Sequence, residues 1–138
     1  MAIIILTSDF GLQDYIAGAV RGLLLQINPD FRILDISHQV APFNYPQAAY
    51  ICRNAILQFP ANTYHIILVN LFEQKPEHLL LACYRGQFIF CADNGLINMI
   101  LPPKPEKVIG TPLDRQANKN TLYCSLVMGR AIVELEKG

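Results

Sequence analysis

The sequence predicts an α/β fold, a Rossmann-like three-layer sandwich whose mostly parallel sheet carries an added β-hairpin. Three observations predict it. AIIIL (residues 2–6) is apolar at every position rather than at alternate ones, as in strands buried on both faces. The next apolar residues recur at helical spacing, and the two patterns then alternate. Later, two further strand-like runs are separated only by Arg85-Gly86, a hairpin spacing.

The elements follow in order. AIIIL runs into a TSDFG turn, and Asp14 is placed to cap a helix carrying Ile16, Ala19, Val20, Leu23, Leu24 and Ile27. Asn28-Pro29-Asp30 stops that helix, and RILDI (residues 32–36) is the second strand. SHQVAPFNYP is irregular, and Pro46 suits the first turn of a second helix with Ala49, Tyr50, Cys52, Ile56 and Leu57, ending near Phe59-Pro60. TYHIILVN (residues 63–70) is the third strand, completing β-α-β-α-β with right-handed crossovers. HLLLACY and QFIFCA form the hairpin, and DNGLINMIL a turn and short helix. PPKPEK is a bend, KVIG a short strand, and a last helix starts near Asn120.

At 138 residues the chain reads as a single domain, 1–138, able to bury a real core. Apolar residues make up 52% and charged ones 16%, which points to a buried sheet, a subunit interface or both. Formal charge is zero, so no basic field exists to hold nucleic acid or an anionic membrane surface. No apolar run approaches the ~20 residues of a spanning helix. AIIIL lacks the length and cationic flank of a signal peptide, so the expected location is the cytoplasm. The four cysteines form no CxxC pair and sit in apolar surroundings, as buried small hydrophobes do.

In parallel α/β sheets ligands collect at the carboxyl ends of the strands, and TSDFG lies there. Gly11 allows close backbone approach or positive φ. The Asp9 carboxylate can accept two hydrogen bonds from a vicinal diol such as a ribose, or simply tie down the turn. His38 after the second strand, Asn70 after the third, and Asp93-Asn94-Gly95 after the hairpin converge on the same rim, each with a plain turn or loop role open to it. His65, inside the third strand, reads as a core or sheet-face histidine. The chain contains no GxxxxGKS/T, no GxGxxG after a strand, no HExxH, no GxSxG and no zinc-spaced Cys/His cluster. No metal or cofactor is expected.

The succession T-S-D-F-G-L-x-D, G-x-V-R-G, I-N-P, I-L-D-I-S-H-x-V-x-P-F, F-P-x-x-T-Y-H-I-I-x-V and A-D-N-G-L-I, in order from about Ile3 to Leu101, resembles the S-adenosylmethionine hydroxide adenosyltransferase family. These are the S-adenosylmethionine hydrolases, relatives of the fluorinating and chlorinating enzymes. The resemblance implies an N-terminal α/β domain, with a smaller β-rich C-terminal domain that these residues do not include. It also implies a trimer holding S-adenosylmethionine between subunits, and attack of water or hydroxide on ribose C5′ to release methionine and adenosine. By resemblance Asp9 grips the ribose hydroxyls, Phe10 and Gly11 complete that turn, and Asp14 lies near the methionine end. His38, Asp93 and Asn94 match motif positions.

The pattern departs at two places. Where the hydrolases read V-D-P-G-V-G-T-x-R, with a water-positioning aspartate and its arginine, this chain reads VNLFEQKPEHL. Asn70 stands at the aspartate, and the nearest acids are Glu73 and Glu77. The F-H-G-R-D-x-F motif is also absent, with Asn120-Thr121-Leu122-Tyr123 roughly in its place. Three readings stand open: a hydrolase, a relative that binds adenosine or S-adenosylmethionine without turnover, and a domain that only oligomerises.

Overall fold

Helices cover both faces of one sheet. The computed structural model describes residues 2–71, 78–101, 107–114 and 120–138. In chain order these form β1 (Ile3–Ser8), α1 (Ile16–Ile27), β2 (Arg32–Ser37), α2 (Tyr45–Gln58), β3 (Thr63–Leu68), β4 (His78–Tyr84), β5 (Gln87–Ala92), α3 (Leu96–Ile100), β6 (Lys107–Pro112) and α4 (Thr121–Glu136). The strand order is β2-β1-β3-β5-β4-β6. β2, β1, β3 and β5 form a parallel block, whereas β4 pairs antiparallel with both β5 and β6. The sheet is therefore mixed rather than purely parallel. The hairpin enters it by its second strand, which leaves β4 outside β5 and hands the far edge to KVIG.

Alternation along β3 explains why its sequence is apolar throughout. Ile66 and Leu68 face one side, where Val20 and Leu24 of α1 and Cys124, Met128 and Ile132 of α4 pack. Ile67 and Val69 face the other, against Ala48, Cys52 and Ile56 of α2 and Leu96 and Ile97 of α3. Burial pushes the Cys52 and Cys91 thiols up to about 12, which makes them inert packing groups. His65 is a core histidine. It is 3% exposed, and its Nε2 lies 2.6 Å from Gln87 Oε1. No helix among the described residues is long and apolar enough to cross a membrane.

Three boundaries differ from the sequence reading. β1 runs through Thr7 and Ser8, so the TSDFG turn begins inside the strand. β3 stops at Leu68, because Asn70 adopts φ +50°, outside strand geometry. Asp14 does not cap α1: the cap position falls on Tyr15, with no side-chain cap bond, and the Asp14 carboxylate accepts the N–H of Tyr15 itself at 2.6 Å. α2 and α4 have true side-chain caps, Asn44 accepting from Gln47 N–H and Asn120 from Tyr123 N–H. The PPKPEK bend falls largely on residues 102–106, outside the described residues.

Candidate functional site

Parallel pairing sets Ser8 opposite Leu68, so the chain leaves β1 and β3 side by side. Asp9 Oδ2 accepts the Asn70 backbone N–H at 2.9 Å. Asn70 Oδ1 in turn accepts the Phe43 N–H at 2.9 Å, from the loop after β2. Phe43 and Asn70 are both left-handed, with φ of +61° and +50°, conformations that non-glycine residues hold only when their surroundings impose them. Beside this chain of bonds opens a cavity of about 340 Å³. Its polar groups come from Asp9, Asn70 and Thr121, the first residue of α4; Phe10 and Phe43 add rings, and Pro42, Leu68 and Leu71 apolar walls.

Behind the turn lies a latch centred on His38. Its Nε2 is 2.9 Å from Asp35 Oδ1, and its Nδ1 is 2.6 Å from Ser8 Oγ. With the ring neutral, Nε2–H donates to the carboxylate and Nδ1 accepts the serine hydroxyl. Arg21 on α1 holds the other Asp35 oxygen at 2.5 Å. Phe10 stacks on the imidazole at a centroid distance of 5.5 Å, and the His38 carbonyl accepts the Gly11 N–H at 2.6 Å. Gly11 meets that bond at φ +74°. A register shift between Leu6 and Thr7 pairs Thr7 with Ser37, and so delivers His38 alongside Ser8.

The structure thus gathers Asp9, Phe10 and Asn70 on the cavity wall and places Gly11 and His38 directly behind. Asn94 braces the same corner. Its amide donates to the Val69 and Asn70 carbonyls at 3.2 and 3.3 Å, and its Oδ1 accepts the Leu96 N–H at the start of α3. Asp14 and Asp93 do not line the cavity. Asp14 is exposed, and Asp93 pairs with His78 at 2.8 Å on the surface. Glu73 and Glu77 lie outside the described residues. Sequence reasoning gave no role to Ser8, Phe43 or Thr121, although Ser8 and Phe43 lie inside the quoted T-S-D-F-G and V-x-P-F motifs and Thr121 in the stretch roughly in place of the missing histidine motif. Among the described residues no three His, Cys, Asp or Glu side chains group as a metal site. A carboxylate acceptor and an amide beside aromatic walls suit a polyhydroxylated ligand with a flat apolar part.

Fold and site together define an α/β domain that offers a pocket at the carboxyl ends of its parallel strands. The chain belongs to the SAM hydroxide adenosyltransferase family: residues 4–138 match its N-terminal domain. It is 32% identical over 102 residues to the (R)-S-adenosyl-L-methionine hydrolase of Methanocaldococcus jannaschii, a match covering 71% of this chain and 39% of that protein. It is 27% identical over 91 residues to the protein of the same name from Salinispora tropica, covering 66% of this chain and 34% of that one. The chain therefore spans well under half the length of these curated relatives. Among solved structures, an uncharacterized conserved protein from Thermotoga maritima superposes with a TM-score of 0.80 at 20% identity, over 94% of this chain and 54% of that one. A conserved hypothetical protein from Thermus thermophilus gives 0.72 at 20% identity, over 97% and 54%. At such identities these two speak to the fold.

Proposed function

We propose that the cavity at the ends of β1 and β3 binds the adenosine half of S-adenosylmethionine, with Asp9 accepting the ribose hydroxyls and Phe10 and Phe43 offering stacking faces to the base. The observation that carries this reading is the Asp9 carboxylate, pinned through Oδ2 to Asn70 N–H on the wall of an open, partly aromatic cavity. In this reading the chain is a single domain of the family's N-terminal type, acting in the cytoplasm as a homo-oligomer, trimeric by resemblance. Hydrolysis of S-adenosylmethionine to adenosine and L-methionine is the reaction to which the curated relatives' names point. In that reaction water oxygen bonds to C5′, the C5′–S bond breaks toward methionine, and the water's proton passes to solvent. The sulfonium is already an excellent leaving group, so the protein's task is to align the water and keep it partly desolvated.

A second reading, binding without turnover, is favoured by Asn70. Its one acceptor oxygen already takes the Phe43 N–H, and a neutral amide is no base. Titration calorimetry with adenosine, run beside an assay for methionine release from S-adenosylmethionine, separates the readings. Binding with release supports the hydrolase, and binding without release supports the second reading. Absence of adenosine binding overturns the proposal and leaves assembly as the remaining role.

A further inference from the structure

Two neighbouring residues of the TSDFG turn line the cavity, and different strands hold them. Asp9 is tied toward β3: its carboxylate accepts the Asn70 N–H at 2.9 Å, and its own N–H donates to the Leu68 carbonyl at 3.4 Å. Phe10 is tied toward β2, through His38. The imidazole stacks on the Phe10 ring at 5.5 Å, with 21° between the planes. The same residue grips the chain on both sides of Asp9-Phe10, its Nδ1 on Ser8 Oγ before them and its carbonyl on Gly11 N–H after them. Asp35 fixes the imidazole through Nε2, and Arg21 in turn fixes Asp35. His38 is 3% exposed and is not among the residues lining the cavity, so it reaches a ligand only through what it holds.

We infer that His38 is a positioning residue for base recognition: it holds the Phe10 ring in place for the base of the bound nucleoside, while Asp9 meets the sugar independently of it. The inference rests on the adenosine-binding reading above. A phenyl ring on a turn that is free to rotate must be ordered when a base stacks on it, and that ordering is lost from the affinity. With both ring nitrogens bonded, the imidazole has one orientation, and the ring stacked on it is held before any ligand arrives. The imidazole takes one face of Phe10, which leaves the opposite face and the edge for the cavity. The Asp9 carboxylate has its own anchor on the β3 side, so loosening His38 weakens the grip on the base and spares the grip on the sugar. The carbonyl bond to Gly11 survives any substitution at position 38, so the side chain can be tested apart from the turn.

The test is a double-substitution cycle, read by calorimetric titration of adenosine into the full chain. Phe10→Ala is expected to weaken adenosine by about tenfold, the loss of one stacking face. His38→Gln keeps a donor for Asp35 but no ring, and is expected to weaken it by about threefold. In the double variant the change at His38 should cost nothing further, because the ring through which it acts is gone. Asp35→Ala gives an independent arm. Its side chain is exposed on the edge strand β2, so the variant is expected to fold, and it frees His38 Nε2 while keeping the imidazole. It too should weaken adenosine only while Phe10 is present, and if His38→Gln does not fold this cycle decides alone. Additive losses would mean that His38 supports the fold at large rather than Phe10, and they overturn the inference. Wild-type affinity in the His38 and Asp35 variants overturns the role of His38 while sustaining the adenosine site. Failure of the wild type to bind adenosine overturns both.

Discussion

Burial governs the chemistry of His65. Gln87 donates through its amide nitrogen to the Ile56 and Phe59 carbonyls, which leaves Oε1 facing the imidazole and assigns the proton to His65 Nε2. Desolvation holds its pKa below the ordinary value of 6.5, against the smaller opposing effect of the Gln87 bond. As pH falls through that ordinary value the unfolded chain takes a proton that the folded chain refuses, so stability declines from there and levels off once the folded ring also protonates. Melting temperatures at about pH 7.5 and about pH 5.5 should therefore differ more in the wild type than in His65→Gln. Equal losses in both would remove His65 as the cause. The sequence places His65 mid-strand, so its core role was legible. The place of Asp9 on the strand-end rim was legible as well, because the turn after a buried parallel strand lies there. The roles of Ser8 and Phe43 were not, although both residues lie inside the quoted motifs. The Ser8–His38 bond depends on a register shift between strands 30 residues apart, and Phe43 on a left-handed backbone that no spacing pattern reveals.

Among the elements, α1 and α4 meet at a glycine. A Cβ on Gly129 would stand 2.6 Å from Ile27 Cδ1 and 2.9 Å from Leu24 Cδ2. Alanine gains about 1 kcal/mol of helix propensity there, but overpacking costs about 1–3 kcal/mol. Both neighbours are side-chain ends able to give slightly, which puts the balance for Gly129→Ala near 1 kcal/mol of destabilisation. Gly18 in α1 has nothing within 4 Å, so Gly18→Ala should gain most of the propensity term, about 0.5–1 kcal/mol. Urea unfolding of the two variants checks this: opposite signs are expected, and two stabilised variants would mean the helices do not approach as closely as they do here. The element-level fold was largely legible, because each strand and helix is short, strongly patterned and bounded by turn residues. The strand order was not. Nothing local in QFIFCA says that it, rather than HLLLACY, lies beside β3, since both runs are apolar enough for a central strand. The cap of α1 was not legible either, because an aspartate before an apolar repeat looks like a cap even where its carboxylate closes on the next residue instead.

At the scale of the whole molecule, occupancy of the cavity is tied to global stability through the two strand ends that it bridges. Asp9 and Asn70 follow neighbouring strands of the central sheet, and Phe43 and Thr121 come from other parts of the chain, so an occupant touches four segments at once. A ligand that binds only the folded chain stabilises it by about 2.7 kcal/mol at 100 times its dissociation constant. For a domain of this size that corresponds to a rise in melting temperature of roughly 8–13 °C. Asp9→Ala removes the proposed acceptor of the ribose and also the partner of the Asn70 N–H. The second loss alone lowers the unliganded melting temperature by roughly 3–8 °C, since an unpaired donor costs about 1–2 kcal/mol. The two effects separate in one experiment. Thermal scans of wild type and Asp9→Ala, each with and without saturating adenosine, should show a lower baseline in the variant and no ligand-dependent rise. A variant with the lowered baseline but a full adenosine shift would make Asp9 a strut for the turn, and the sugar would have to be held elsewhere in the cavity.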